Sequence, residues 1–561
     1  MTVADDVLAK AVELLGPWAE ETNAPEEGRM DVVLRPENLL AAVGALGKEQ
    51  WGHLTSITGL DLGVDAGEIE VLYHFRRQAA VLGLRVRTPR DAASVPSICD
   101  ILPSASFMER EVAEMLGVDV VGMPPHGRLF LADDWPDGAY PLRKDFDPDE
   151  AAQRHPAESR QDDGGEKPQR FIIPIGPQHP ALKEPGHFEF CVDGEIITSA
   201  SARLGYAHRG IEKATEARTW VQDLYLLERV CGICSHIHAM TYCQGVEKLA
   251  GIEVSPRARA IRTLVAELER VHSHMLWLGV GAHEAGFDTL FMYAWRDRET
   301  VMDLLEGLSG NRVNYSANLL GGVKFDIDDD QIEAILDGAD VLEERLHHYL
   351  AVATEDESFL IRTQGIGTMT QQQAEVLGTV GPTARASGVA RDLRLDAPYA
   401  AYPDFPVKLV IAPGGDLLAR FAVRIEELFE SLRVVREIVQ NLPGGDLAVR
   451  VPTKIPEGET VSCSEAPRGE LYYYIESKGA DKPERIKVRT PTLANWGAVL
   501  STVVGCQLAD VPMVLAGIDP CFSCNDRMVR LRAGSSGRRL WSWEELRRYG
   551  IEYYRCKTSR T

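Results

Sequence analysis

The sequence predicts an α+β protein in two units: an N-terminal α/β module, then a larger, mainly helical domain with a helix-bundle core and peripheral β-hairpins. Three observations carry this expectation. Strand-like and helix-like patterns mix within roughly the first 145 residues, a polar Gly/Pro-punctuated tract occupies 147–170, and apolar stripes of helical period dominate the remainder. A chain of 561 residues is also long for one core.

The opening segment MTVADDVLAKAVELL is acidic and amphipathic, without the basic stretch and apolar run of a secretory signal. Within residues 1–146, VLYHFRR and LGLRVRTP read as strands and SFMEREVAEMLG as a helix. Residues 147–170, DPDEAAQRHPAESRQDDGGEKPQR, show no apolar period and read as a linker. The main domain spans 171–527. There Ile261, Leu264, Leu268, Val271 and Met275 recur at helical spacing between Arg257 and about Gly279. A second stripe, Leu418, Phe421, Ile425, Leu428, Leu432, Val435 and Val439, follows Asp416, a suitable N-cap. Its steps of three and four suit antiparallel packing, so it reads as bundle core rather than partner surface. Between Arg468 and Thr490, ELYYYIESKGADKPERIKVRT has the aromatic and β-branched arms of a hairpin. In the tail 528–561, Ser542 and Glu545 form a capping box and Gly550 a helix stop.

Composition narrows the function. Hydrophobic residues make up 45% and charged residues 26%, the profile of a soluble globular chain. A net charge of −24 repels nucleic acid and anionic lipid, so no nucleic-acid partner is expected. No run of about 18 apolar residues exists; the best stretch, Val503 to Ile518, is broken by Gln507 and Asp510. Membrane attachment would therefore run through another protein.

Four of the ten cysteines form two CxxC pairs: Cys231 and Cys234 in ERVCGICSHIHAM, Cys521 and Cys524 in IDPCFSCNDR. Metal or catalytic roles are expected ahead of a disulfide framework. Zinc-ribbon pairs lie within about 20 residues of each other, whereas these are 287 positions apart (521 − 234). Four thiolates select zinc, iron–sulfur or nickel. Gly232 allows close backbone approach to a metal, Pro520 fixes the entry to the second pair, and His238 can donate a hydrogen bond to a thiolate sulfur. The other six cysteines lack iron–sulfur spacing, so no iron–sulfur cluster is expected in this chain.

RVCGICSHIH fits Arg-x-Cys-Gly-x-Cys-x-x-x-His, and DPCFSCNDR fits Asp-Pro-Cys-x-x-Cys-x-x-Arg. Together they resemble the paired nickel-binding signatures of nickel–iron hydrogenase large subunits. The resemblance implies that Cys231 and Cys521 are terminal on nickel, and that Cys234 and Cys524 bridge nickel to an iron carrying carbon monoxide and cyanide. EAPRGE resembles the family's arginine loop, with Arg468 over the open face of the metals, where a permanent cation polarises hydrogen. A surface ion pair with Glu465 or Glu470 is the alternative for that side chain. RTPTLANW resembles the cyanide-pocket segment, through Pro491 and Thr492, and in HRGIE Glu212 resembles a ligand of a magnesium-type ion.

GPQHPALKEPGHFEF resembles a region shared by the 49-kDa-type subunit of complex I and membrane-linked hydrogenases. It implies that Glu184 takes protons from a thiolate such as Cys521; the alternative is a turn residue before Pro185. FMEREVAEMLGVDVVG and PPHGRLFLADDWPDGAYPLRKDF resemble the 30-kDa-type subunit, as fused in formate hydrogenlyase and hydrogenase-4 large subunits. The resemblance further implies an iron–sulfur small subunit, membrane antiporter-like subunits, nickel chaperones, and an endopeptidase that removes 528–561 behind Arg527. It places the chain on the cytoplasmic face of the inner membrane. Two rival readings are a complex-I-like quinone-reductase core, whose fused subunits lack the four thiolates, and a structural zinc scaffold.

Overall fold

The computed structural model describes residues 3–124, 127–132, 135–153 and 171–525, so Arg527 and the tail with Ser542, Glu545 and Gly550 lie outside the described residues. The N-terminal unit is built on a five-stranded sheet. Its strand order is Ala19–Asn23, Arg29–Leu34, Ala80–Pro89, Glu68–Arg77, His53–Asp61. The segments VLYHFRR and LGLRVRTP pair there as antiparallel neighbours, while Arg29–Leu34 runs parallel to Ala80–Pro89. SFMEREVAEML forms the helix Ser106–Leu116 against the edge strand. It stops at Gly117, whose φ of +73° admits glycine and where a Cβ would fall 2.3 Å from the Tyr140 ring.

The expected linker begins differently. Pro148–Gln153 is helical, with Pro148 at its start and Asp147 Oδ1 accepting the Glu150 N–H at 3.3 Å. A local capping bond and a proline at the first turn suffice for a short helix without apolar period. Residues 154–170 lie outside the described residues.

In the main unit, the helices Pro256–Glu284, Asp288–Ser309, Asp329–Glu355 and Leu417–Gln440 pack on one another as a bundle. Asp416 caps the last, accepting the Ala419 N–H at 2.8 Å. The first runs past the expected stop at Gly279. Gly279 and Gly281 are packing glycines inside it: a Cβ at either would fall 2.5 Å from Trp295 or 2.6 Å from Phe421. The expected hairpin is present as Gly469–Ser477 and Arg485–Arg489, and it gains a third antiparallel strand, Gly458–Ala466. Among the described residues, no helix is long and apolar enough to cross a membrane.

The seam between the units is ionic, and the three-stranded sheet forms one side of it. Arg29 and Arg85 bind Asp31 and also reach Glu459, Lys487 meets Glu111 at 2.6 Å, and His53 lies 3.4 Å from Glu470. Arg489 Nε donates to Thr55 O at 2.7 Å. Arg29, Arg85 and Lys487 each have a carboxylate partner here, which offsets the cost of their desolvation.

Candidate metal centre

The two CxxC pairs close a gap of nearly three hundred residues. The Sγ atoms of Cys231, Cys521 and Cys524 lie within 4.8 Å of one another, all buried. Cys231 and Cys521 are 3.5 Å apart, and Cys524 and Cys521 3.1 Å. Each pair stands at the start of a helix, Ser235–Ala250 and Phe522–Asn525. Backbone amides of Ile233 and Cys234 donate to Cys231 Sγ at 3.3 and 3.1 Å. Cys234 stands outside the triad, its Sγ accepting Arg468 Nη1 at 3.0 Å. Three converging thiols with a fourth beside them are a soft, buried donor set that fits a nickel–iron pair.

Arg468 is buried, not paired at the surface. Its Nε donates to Asp519 O at 2.8 Å and its Nη2 to Asp519 Oδ1 at 2.9 Å, while Nη1 also reaches Ser273 Oγ at 3.3 Å. The acids beside it in sequence are engaged elsewhere, Glu465 by Arg385 at 2.8 Å and Glu470 by Arg489. Against the penalty of burial, Asp519 and the thiols hold the guanidinium pKa well above its ordinary value. Asp519 is likewise held below the usual carboxylate range despite burial, by Arg468 and then Lys183. Sequence reasoning missed Asp519 as a partner, although it stands in the DPC segment; its φ of +55° before a proline is a strained setting that the Arg468 bonds help to hold.

Glu184 is an anchor of the second pair, not a free turn residue. Its Oε2 accepts the N–H groups of Phe522 at 2.6 Å and Ser523 at 3.1 Å, and Ser523 Oγ donates to Oε1. Burial, and next Cys521, raise its carboxyl to about 7. It also lines a surface cavity of about 450 Å³ with His179 and Lys183. His238 Nδ1 lies 2.8 Å from the Tyr473 hydroxyl and its Nε2 3.9 Å from Cys524 Sγ. Burial, then Arg209, lowers its pKa to about 3, so the ring is neutral. Thr492 Oγ accepts the Cys521 N–H at 3.2 Å, and Pro491 opens the helix Pro491–Thr502 behind it.

Glu212 is buried beside the strand Arg485–Arg489. Its carboxylate binds Arg485 at 2.7 Å, accepts the Val488 N–H at 3.2 Å and lies 3.7 Å from Lys487. Arg485 and Lys487 thus set two cations around this buried carboxylate.

The family profile "Nickel-dependent hydrogenase" matches residues 209–279. The profile "Respiratory-chain NADH dehydrogenase, 30 Kd subunit" matches 32–152, and that of the 49 Kd subunit matches 284–453 and 447–527. The chain is 36% identical to formate hydrogenlyase subunit 5 of Escherichia coli (strain K12), covering 93% of each chain. It is 34% identical to hydrogenase-4 component G of the same organism, over 95% of this chain and 94% of that one. A subunit of NADH-quinone oxidoreductase from Phocaeicola vulgatus is 34% identical over 83% of this chain and 93% of its own length. Among solved structures, a chain of the membrane-bound sulfane sulfur reductase, an archaeal respiratory membrane complex, superposes with a TM-score of 0.61 at 33% identity, over 64% of this chain and 98% of that one.

Proposed function

We propose that this chain, which belongs to the oxidoreductase family of formate hydrogenlyase subunit 5 and hydrogenase-4 component G, is the nickel–iron large subunit of a membrane-linked hydrogenase. It would interconvert hydrogen with protons and electrons, in the direction of hydrogen evolution within a formate-hydrogenlyase-like complex. The observation that carries this reading is the buried convergence of Cys231, Cys521 and Cys524, with Cys234 beside them under Arg468. Fused complex I subunits have the same frame, but a quinone-reductase core needs no such thiol cluster.

Cys231, Cys234, Cys521 and Cys524 would hold a nickel–iron pair, the iron bearing carbon monoxide and cyanide, and Pro491 and Thr492 would line its pocket. When bound, the metal pair supplies the redox centre at which hydrogen is split unevenly into its charged parts. The chain supplies the rest. Arg468, fixed by Asp519, presents a cation that needs no reorganisation as charge develops. The Cys521 sulfur accepts the proton, and Glu184, poised near 7 behind the Cys521 loop, moves it toward the cavity with His179 and Lys183. His238 keeps a neutral ring at Cys524. Electrons leave through an iron–sulfur small subunit, and antiporter-like subunits tie the assembly to the cytoplasmic face of the membrane.

The test is nickel and iron content of the purified complex, measured with viologen-linked hydrogen activity. One nickel per chain with hydrogen turnover is expected. Zinc alone would mark a scaffold, and a metal-free complex that reduces quinone would mark the complex-I-like reading.

A further inference from the structure

The helix Pro256–Glu284 was identified from its apolar stripe, yet another of its faces buries Glu269, Arg270 and Ser273 with no exposed edge. With Trp277 they sit at i, i+1, i+4 and i+8, which places all four within an arc of about 100° on one side of the helix. Together the four side chains reach three parts of the metal centre. Glu269 accepts the N–H groups of His236 at 2.7 Å and Ile237 at 3.1 Å, fixing the first turn behind Cys234. Arg270 Nη2 donates to Glu465 O at 2.6 Å and Nη1 to Ala466 O at 3.4 Å, the last carbonyls before the turn that carries Arg468. Ser273 Oγ meets Arg468 itself, and Trp277 Nε1 donates to Ala516 O at 2.7 Å, three residues before Asp519.

We infer that this face is the template that sets the three parts of the site in register, with Arg270 the positioning residue for Arg468. A buried guanidinium is costly unless compensated. Arg270 has Glu267 at 3.5 Å, but that carboxylate is shared with Arg394, Ser431 and the Tyr402 hydroxyl. Its two terminal nitrogens are given instead to consecutive carbonyls of one strand end. Such a bidentate grip fixes both position and direction of the strand where it turns. The turn is tight on its other side too, since a Cβ at Gly381 would fall 2.5 Å from Arg468 O. Reacting groups tolerate about 0.5 Å of misplacement, so a rigid helix is the right element to refer them to.

The inference rests on the nickel–iron reading, and its test separates the two. In the purified complex, Arg270→Lys is expected to lower hydrogen turnover about 10- to 100-fold at unchanged nickel and iron content, since a loss of order 10²-fold follows a displacement of about 1 Å. In an Arg468→Lys background the same change should cost less than about threefold, because the group being positioned is already altered. Hydrogen–deuterium exchange of the peptide 458–477 should rise in Arg270→Lys whatever the metal content. If Arg270→Lys does not assemble, Ser273→Ala serves in the same cycle, with the same non-additivity expected. Full additivity with Arg468→Lys, or unchanged exchange in 458–477, would overturn the template. A wild-type complex without nickel would overturn the hydrogenase reading alone, since the exchange measurement still decides the template.

Discussion

Replacing Glu184 separates its two roles, and the geometry sets the size of each. The carboxylate accepts two backbone N–H groups and a hydroxyl from the loop between Cys521 and Cys524. Glu184→Gln keeps an amide oxygen for Phe522 and Ser523 but removes the proton site. Glu184→Ala removes both. Leaving two amides unpaired costs about 1–3 kcal/mol each, and since Glu184 borders an open cavity where water can replace it, the lower end applies, about 2–3 kcal/mol in all. The alanine variant should therefore lose part of its nickel. The glutamine variant should retain metal while hydrogen–deuterium exchange falls about 10²- to 10⁴-fold, the usual contribution of a positioned acid or base. The pH profile follows from burial and Cys521, which raise the carboxyl to about 7. Exchange in the wild type should bend near that pH, and the bend should vanish in Glu184→Gln. The assay is exchange between deuterium gas and water, beside nickel analysis of the same sample. Normal exchange with a retained bend would show that protons leave by another route.

Other perturbations read other parts of the structure. Arg468→Lys cannot hold Asp519 through two nitrogens and reach Cys234 as well, so hydrogen turnover should fall about 10²- to 10³-fold with nickel retained; equal turnover would remove Arg468 from the chemistry. Gly381→Ala would force a φ of +68° on alanine and place Cβ 2.4 Å from Gly469 Cα, so the unfolding midpoint should reflect a loss of about 2–4 kcal/mol. His53, His236 and His274, lowered to about 4, 3 and 4 chiefly by burial, are neutral in the fold. Below their ordinary 6.5 the unfolded chain binds more protons, so stability is full above pH 6.5 and should drain as pH falls through 4, read from urea midpoints across that range. Asp223, raised to about 8 by burial, acts with the opposite sign and should erode stability as pH rises from 4 to 8. Mass spectrometry of nickel-matured chain should show loss of residues 528–561, and an intact active chain would exclude that processing.

The features legible in the sequence were those encoded locally. Cysteines three apart, an Asp N-cap, a heptad-like stripe and aromatic hairpin arms are short-range signals, and the helices, hairpin and thiol cluster obey them. The third strand escaped notice because GETVSCSEA alternates polar residues, yet both units cover it, so Ser462, Ser464 and Glu465 are buried. Partner choice was the other gap. Glu465 and Glu470 flank Arg468 in sequence, but strand alternation and the seam deliver them to Arg385 and Arg489, while Asp519, 51 positions away, takes the guanidinium. Glu212 likewise meets Arg485, 273 positions on, a partner that no local motif announces. A buried charge is fixed by whichever opposite charge the fold brings to it, and that is a property of topology rather than of a motif. The same reasoning explains why a shared frame can serve both hydrogenase and quinone-reductase relatives. The bundle, the seam and the helix Pro256–Glu284 set where three chain segments meet, and the side chains placed at that meeting point decide the chemistry. Here they are thiols, with a clamped guanidinium above one of them and an anchored carboxyl behind the other pair.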